Sequence, residues 1–370
     1  MDPLTHTLLG VTLSESGLKR WTPLATATLV IGVNLPDIDG VANLMGRDSA
    51  LWIRRGWTHG VVAMTILPLL LAGAMYGWSR WRRTPVDSRR SHGPPHDRTE
   101  AHVGRLVALS HLSVLSHPAL DWLNNYGVRL LMPFDGRWFY GDAVFIMDPW
   151  LWLLLGTSGV LAYSRSWVGL IGWTALAVVA TVLMLTVEPV PMAARALWMV
   201  GVAGLCVVRA MGAERRLATT ASVCLAVAVV YIVATVAATG LARRQVDGWL
   251  ASEHIDAEAV MAGPVPANPF RRQVVVDTGA RYHFLTLDWL ASEPLSVSGP
   301  SVEKRPMSPA IATALAAPSV RGLRGWLRFP AYEVEAVPEG FIVRIADMRF
   351  PRITGLGTAT IELDAAGALR

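Results

Sequence analysis

Cysteine and charge are both scarce in this sequence of 370 residues. The chain has only 2 cysteines. Cys206 and Cys224 lie in apolar segments, which argues against a disulfide framework and against a thiolate metal site. Charged residues make up 16% of the chain, whereas 52% of the residues are hydrophobic and 15 are tryptophan. Together with a mean hydropathy of +0.39, these values indicate an integral membrane protein.

Arginine supplies almost all of the net charge of +5. In a membrane protein, an excess of basic residues typically determines the topology. We therefore expect contact with the lipid bilayer and no nucleic acid partner. The first residues lack the basic start of a signal peptide, and the first apolar run contains His6. No cleavable signal is therefore predicted.

Apolar runs predict about eight helical membrane segments, because a span needs about 20 mostly apolar residues. The clear candidates are Val61–Trp78, Trp150–Tyr163, Trp167–Val187, Ala193–Met211 and Leu217–Gly240. The weaker segments are short or interrupted by Thr, Ser or His, as expected for helices that line a polar site, and they are Leu4–Leu18, Trp21–Pro36 and Leu106–Leu120. Gly10 and Gly17 in the first would allow close packing on a neighbouring helix.

Basic residues are concentrated in alternate connections, which the positive-inside rule places in the cytoplasm. They are Lys19, Arg20, Arg80, Arg82, Arg83, Arg89, Arg90, Arg98, Arg165, Arg215 and Arg216. The polar, Pro- and Gly-rich stretch Thr84–Thr99 is predicted to be a flexible cytoplasmic loop. If all eight segments cross the membrane, the chain is multi-pass and its C-terminal domain lies on the outer face.

The composition changes beyond residue 240, where polar and apolar residues alternate in short runs. Such runs, separated by Gly and Pro, are typical of antiparallel strands. They are Gln273–Asp277, Arg281–Asp288, Tyr332–Ala336, Phe341–Ile345 and Thr358–Leu363. The sequence thus predicts a mainly helical, polytopic membrane domain over residues 1–240 and a small, soluble, mainly-β domain over residues 241–370. Arg243–Met261 is predicted to form a short amphipathic helix before the strands.

Histidine and aspartate recur where the apolar segments break, and ionisable groups at such places are by default a hypothesis of function. His117 and Asp121 are four residues apart, so on a helix both project from the same face. An imidazole and a carboxylate together suit a divalent metal, with Zn²⁺ most expected and Mn²⁺ or Fe²⁺ as alternatives. The plain alternative is a hydrogen bond on a helix surface.

Asp37 and Asp39 lie in the turn Pro36–Gly40, from which both carboxylates can face a cation. Asp37 is the first choice as a ligand, whereas Asp39 would bridge metals or support a ligand. Pro, Asp and Gly are equally common in ordinary turns that end helices.

His59 follows Thr58, a candidate N-cap, at the start of a membrane helix and could ligate a metal. Arg54 and Arg55 would suit an adjacent anion, although snorkelling to the interface is as good an explanation. His6 is the weakest ligand on spacing alone, since a lone His in an apolar helix is often a core residue.

Asp142 and Asp148 follow further along the chain. Asp148 precedes Pro149 and fits an N-cap followed by a proline in the first turn. Asp142 has no such structural explanation and ranks above Asp148 as a catalytic candidate. If all eight segments cross, these residues and the other His and Asp candidates fall on the outer face.

Several ordered motifs resemble those of a known family. MDPLTHTLLG, LPDID, RGWTH, SHPALDWLNNYG, LLMPF and a later MDP, within residues 1–150, are similar to the bacterial membrane-bound metal-dependent hydrolases. That family is also described as LexA-binding and inner-membrane-associated. The resemblance implies the metal ligands His6, Asp37, His59, His117 and Asp121. Arg54 stands where the family often has a histidine, and arginine cannot ligate a metal.

We therefore expect a membrane-embedded metal-dependent hydrolase that acts on a phosphoester, such as a phospholipid, or on another membrane-associated substrate. The metal would lower the pKa of a bound water to about 7. Asp39 or Asp142 could act as general base, and Arg55 could steady an anionic substrate. The alternatives are a non-catalytic membrane scaffold or interaction protein and a metal-linked transporter.

Overall fold

The computed structural model describes residues 1–82, 102–188, 190–212, 216–350, 355 and 357–370. The predicted loop Thr84–Thr99 lies outside the described residues. Within them the chain is mainly helical through residue 252 and forms antiparallel sheets toward its C-terminus, which confirms the predicted fold class.

The described chain divides into two compact units. The first, which we call the helical unit, comprises Met1–Ile38, Trp57–Ala237 and Val265–Pro269. The second, the β unit, comprises Asp39–Gly56, Ala238–Pro264 and Phe270–Arg370. The single boundary predicted near residue 240 stays a prediction.

Each predicted apolar segment coincides with a helix. The helices are α1 (Pro3–Glu15), α2 (Ala25–Gly32), α3 (Arg47–Ile53), α4 (Val61–Trp81), α5 (Val103–Trp122), α6 (Pro149–Tyr163), α7 (Trp167–Thr186), α8 (Met192–Ala210) and α9 (Leu217–Ser252). Among the described helices, α4, α7, α8 and α9 are long and apolar enough to cross a membrane. At 1.5 Å per residue, the 13 residues of α1 extend only about 20 Å, which is less than a bilayer core.

Glycines allow the short helices of the helical unit to approach each other closely. A Cβ atom on Gly10 would lie 2.8 Å from Val33 Cγ2, so α1 and α2 touch there, as predicted. A Cβ atom on Gly32 would lie 1.9 Å from Ser113 Oγ, at the contact of α2 with α5. The same prediction is wrong for Gly17, which has nothing within 4 Å and instead adopts a φ of +125° as the chain leaves α1.

The described strands form two sheets. The first has five strands in the order β1-β2-β3-β4, with β5 also paired to β3, and the second has three strands in the order β6-β7-β8. The strands are β1 (Ala259–Val265), β2 (Asn268–Asp277), β3 (Arg281–Asp288), β4 (Leu295–Val297), β5 (Val302–Glu303), β6 (Pro330–Val337), β7 (Gly340–Asp347) and β8 (Thr358–Asp364). Helices α10 (Pro309–Ala316) and α11 (Arg321–Trp326) lie between the sheets in the sequence. The separate amphipathic helix predicted at Arg243–Met261 is wrong, because α9 continues through Ser252 and β1 begins at Ala259.

An ion pair lies buried in the β unit, and we call it the Asp347–Arg349 pair. The Arg349 guanidinium donates to Asp347 Oδ1 at 3.0 Å and to Asp347 Oδ2 at 2.9 Å. It also donates to the Trp326 carbonyl at 2.8 Å and lies over the Trp326 ring. The backbone N–H of Arg328 donates to Asp347 Oδ2 at 2.7 Å. The pair is thus supplied with partners on several sides, as a buried ion pair requires.

Candidate metal centre

The structure brings together all of the residues that the sequence and the resemblance predict as metal ligands. They come from α1, from the turn after α2, from the turn before α4 and from α5, and they are His6, Asp37, His59, His117 and Asp121. We call this group the His/Asp cluster. All of its members are buried except Asp37, whose side chain is 14% exposed. Two overlapping sets, His6–Asp37–His117 and His59–His117–Asp121, each offer ligand atoms within 4.8 Å of one another.

Asp121 lies against each of the histidines. Its Oδ1 is 3.4 Å from His6 Nε2, and its Oδ2 is 3.3 Å from His59 Nε2 and 3.6 Å from His117 Nε2. The backbone nitrogen of Met1 also contacts Asp121 Oδ1. On the other side of the cluster, Asp37 Oδ1 is 3.8 Å from His117 Nε2. Asp121 and His117 therefore join the two sets of potential ligands.

Hydrogen bonds to the Nδ1 atoms determine which nitrogens of His59 and His117 face the cluster. His117 Nδ1 is 2.6 Å from the Val33 carbonyl, which can only accept, so Nδ1 carries the proton. His59 Nδ1 contacts the Thr58 hydroxyl at 2.9 Å. The two Nε2 atoms meet at 3.0 Å. With Zn–N bonds of 2.0–2.1 Å, nitrogens on one tetrahedral zinc are roughly 3.3 Å apart, so the pair fits a shared cation.

His6 adds a second sign that the cluster is built for a ligand. The residue is fully buried, yet neither of its ring nitrogens forms a hydrogen bond with any residue that the structure describes. Its ring stacks on that of His117 with centroids 3.7 Å apart. Because a buried polar group without a hydrogen bond is costly, an incoming cation would relieve this arrangement.

Local sequence positions these side chains. Asp2 caps α1 by accepting from the backbone N–H of Thr5 at 3.1 Å, and Pro3 occupies the first turn, so His6 comes one turn after a well-defined helix start. On α5 the four-residue spacing stacks His117 and Asp121, as predicted. Asp37 lies in the first turn of a 3-10 helix, Leu35–Met45, which comes after α2, and its backbone N–H donates to the Asn34 carbonyl at 3.1 Å.

Asp142, a predicted catalytic residue, is buried in the loop that returns along the end of α5. It has a φ of +50°, a left-handed conformation that is uncommon outside glycine. The neighbouring N–H groups of Gly141 and Ala143 donate to the carbonyls of Trp122 and Leu123 at 2.6 Å and 2.7 Å. Such conformations are often found at functional sites, although the catalytic role of Asp142 stays a prediction.

Asp39 and Arg55, the other predicted catalytic residues, both belong to the β unit. The backbone N–H of Arg55 donates to Asp39 Oδ2 at 2.9 Å, and Arg54 Nε is 3.8 Å from Asp39 Oδ1. Arg55 is buried and has a φ of +53°. The Asp39 carboxylate thus contacts the chain that follows α3, at Arg54 and Arg55, and the catalytic roles of Asp39 and Arg55 remain predictions.

Two residues beside the His/Asp cluster differ from the sequence prediction: the role of Val33 was not predicted, and the role predicted for Thr58 was wrong. The Val33 carbonyl, which accepts from His117, has no residue-type signature. Thr58 does not cap α4, whose N-cap is Gly60, and instead contacts His59. Asp148 is confirmed as the N-cap of α6, since it accepts from the N–H groups of Trp150 and Leu151.

Apolar helices and a buried His/Asp cluster define a helical membrane protein with a candidate metal centre. The family of YdjM inner membrane proteins matches residues 1–194, which is more than half of the 370 residues. The chain belongs to the YdjM inner membrane protein family. Family membership and the apolar helices both indicate that the protein lies in a membrane.

The chain is also similar to the uncharacterized protein YfhP of Bacillus subtilis strain 168, with 24% identity over 165 residues. The match covers 41% of this chain and 43% of YfhP, so the chain spans less than half the length of that relative. No solved structure matches the chain.

Proposed function

We propose that this protein is a membrane-embedded, metal-dependent hydrolase whose substrate is a phosphoester or another membrane-associated molecule. The observation that carries the proposal is the convergence of His6, His59 and His117 with two buried or half-buried carboxylates. Imidazole and carboxylate are the ligand types that catalytic zinc sites use. Zn²⁺ is the expected ion, with Mn²⁺ or Fe²⁺ as alternatives.

His59, His117 and Asp121 would hold the ion, and His6 and Asp37 would complete the site or hold a second ion. A divalent cation there supplies Lewis acidity, which acidifies bound water and stabilises negative charge on an attacked phosphorus or carbonyl centre. The Val33 carbonyl and the Thr58 hydroxyl orient His117 and His59 for this role.

Within the helical unit, a carboxylate oxygen of Asp142 would accept the proton of the attacking water. The roles predicted from sequence for Asp39 as general base and for the Arg55 guanidinium as the group that binds an anionic substrate stay predictions, since both residues belong to the β unit. An interfacial substrate such as a phospholipid suits a centre carried by apolar helices. We also propose that the site lies on the outer face of the bacterial inner membrane. The proposal does not include binding to LexA.

Elemental mass spectrometry on the full chain purified in detergent tests the proposal. The test variant is His117→Ala/Asp121→Ala. The matched control is His102→Ala/Asp247→Ala, which removes the same residue types where neither belongs to the cluster. We expect stoichiometric zinc or manganese in the wild type and the control and almost none in the test variant. Hydrolysis of bis-p-nitrophenyl phosphate and of phospholipid vesicles should follow the metal content.

The other outcomes separate the rival functions. If no metal is found even after reloading, while circular dichroism shows an intact fold, the hydrolase proposal is wrong and a non-catalytic scaffold is favoured. Metal uptake into sealed vesicles without hydrolysis would instead favour the transporter.

A further inference from the structure

A second polar feature of the helical unit is a cavity at the C-terminal end of α1. It has a volume of about 580 Å³ and is lined by the ends of α1 and α6 and by the start of α9. Glu15, the last residue of α1, lines the cavity, and His6 precedes it by nine residues. At 1.5 Å per residue these two positions are about 14 Å apart along the helix axis, so the cavity is separate from the His/Asp cluster.

The lining of this cavity is strongly cationic. Lys19, Arg20, Arg165 and Arg216 contribute four positive side chains against the single carboxylate of Glu15. Glu15 is 3% exposed and accepts from Lys19 Nζ at 2.5 Å and from the Tyr163 hydroxyl at 3.2 Å, so its charge is already matched. None of the three arginines forms an ion pair with a carboxylate among the residues that the structure describes.

An excess of three arginines around one concave surface is suited to a phosphate group, because each guanidinium offers a planar fork of N–H donors. The first turn of α9 adds donors as well, since Leu217, Ala218 and Thr219 line the cavity and the first N–H groups of a helix have no partner within it. A bound anion would also offset the mutual repulsion of the positive side chains that line the cavity.

The flanking residues have the character of a membrane interface. Trp21 directly follows Arg20 and is 45% exposed, and Trp167 comes two residues after Arg165 and is 75% exposed. Exposed tryptophan is enriched at the level of lipid headgroups, and basic pockets between membrane helices bind anionic headgroups. The positive-inside rule also predicts these connections to be cytoplasmic.

We propose that this cavity binds a phosphate group, supplied by the headgroup of an anionic lipid or by a soluble phosphate. The site does not depend on the proposed hydrolase activity, because it uses none of the residues of the His/Asp cluster. Its ligand would hold the ends of α1, α6 and α9 together.

The test measures binding to the full chain in detergent with three probes: dioctanoyl-phosphatidylglycerol, dioctanoylglycerol and inorganic phosphate. The variant is Arg165→Gln/Arg216→Gln. The matched control is Arg80→Gln/Arg82→Gln, which removes two exposed arginines of the helical unit that do not line the cavity. Each basic residue near an anionic headgroup contributes roughly a factor of five, so the variant should bind phosphatidylglycerol about 30-fold more weakly. The control should stay within about twofold of wild type. Arg165→Lys/Arg216→Lys should recover only part of the affinity, because lysine keeps the charge but lacks the planar fork of donors.

The probes then distinguish the sources of the phosphate. Loss of both phosphatidylglycerol and inorganic phosphate binding in the variant supports a site for the phosphate group itself, open to a soluble anion. If the wild type binds phosphatidylglycerol but not inorganic phosphate, and the variant loses phosphatidylglycerol binding, the result supports a lipid headgroup site. Equal binding of dioctanoylglycerol and phosphatidylglycerol, or equal loss in the variant and the control, would overturn the proposal.

Discussion

The helical unit and the β unit each bury a group of charged or ionisable side chains, but the two groups are completed differently. In the β unit, the Asp347–Arg349 pair is bidentate, and both partners also bond to the backbone. In the helical unit, His6 has no hydrogen bond to a described residue, and two imidazole Nε2 atoms face each other at 3.0 Å. The first group is complete within the protein, whereas the second is suited to a cation.

This difference favours a structural role for the Asp347–Arg349 pair and supports the functional role proposed for the His/Asp cluster. A buried ion pair that has all of its hydrogen bonds holds local structure, and removing one partner is costly. In the His/Asp cluster, His6 has no hydrogen bond to a described residue, and a cation would supply its missing partner. The metal-free form of the cluster should therefore add less to stability than the Asp347–Arg349 pair. The two groups should therefore respond in opposite ways to substitution.

The largest expected effect is that of Asp121→Asn on metal content. Asp121 contacts His6, His59 and His117, so its loss should reduce bound metal from stoichiometric to near zero. The thermal midpoint of the metal-free protein should change little, because the amide removes a buried carboxylate charge but also weakens its contact with the Met1 nitrogen. Elemental analysis and thermal unfolding in detergent measure both quantities, with Asp247→Asn as the control at an exposed position. A large loss of metal-free stability would mean that Asp121 is a structural residue.

Arg349→Met should have the opposite signature. It leaves Asp347 buried without its ion-pair partner, which should destabilise the chain by about 3–5 kcal/mol. Metal bound per folded chain should not change. Urea unfolding of the full chain in detergent, together with elemental analysis of the folded fraction, measures the two effects. A variant that loses metal while keeping its unfolding midpoint would contradict the structural assignment of this pair.

The sequence predicted more of the His/Asp cluster than of its surroundings, for physical reasons. Histidine and aspartate beside apolar runs are conspicuous, and the spacing of His117 and Asp121 already defines one helical face. The Val33 carbonyl could not be foreseen, since every residue has one. The end of α9 was also missed, because Gly240 interrupts the apolar run without breaking the helix, which then continues through Ser252. Arg349 and Asp347 gave no signal either, since their burial depends on Trp326 and Arg328 from another part of the chain.

Gly32→Ala should weaken the helical unit and its metal site together. The added Cβ would lie 1.9 Å from Ser113 Oγ and 2.8 Å from Ser113 Cβ. Rotation of the hydroxyl relieves only the first contact, so α2 and α5 must separate, which moves the Val33 carbonyl away from His117. Overpacking of this kind costs about 1–3 kcal/mol. Gly73→Ala on α4 is the matched control, because nothing lies within 4 Å of its added Cβ, and alanine is the better helix former. Thermal midpoints and metal affinities should fall for the first variant only, and equal behaviour of the two would exclude close α2–α5 packing as a support of the site.

The smallest expected effect is that of Thr58→Val, which removes the hydroxyl beside His59 Nδ1 but keeps the shape of the side chain. Groups that orient a metal-binding histidine typically change metal affinity by about 10–100-fold. We expect the lower end, because His59 is fully buried and its ring also packs against His117. Thr58→Ser should restore the affinity, since it returns the hydroxyl. Thr65→Val is the control, because the Thr65 hydroxyl donates only to the Val61 carbonyl within α4. Competition with a zinc chelator measures all of these affinities. If Thr58→Val and Thr65→Val weaken binding equally, the Thr58 hydroxyl does not orient His59, and the ring of His59 is held by its packing alone.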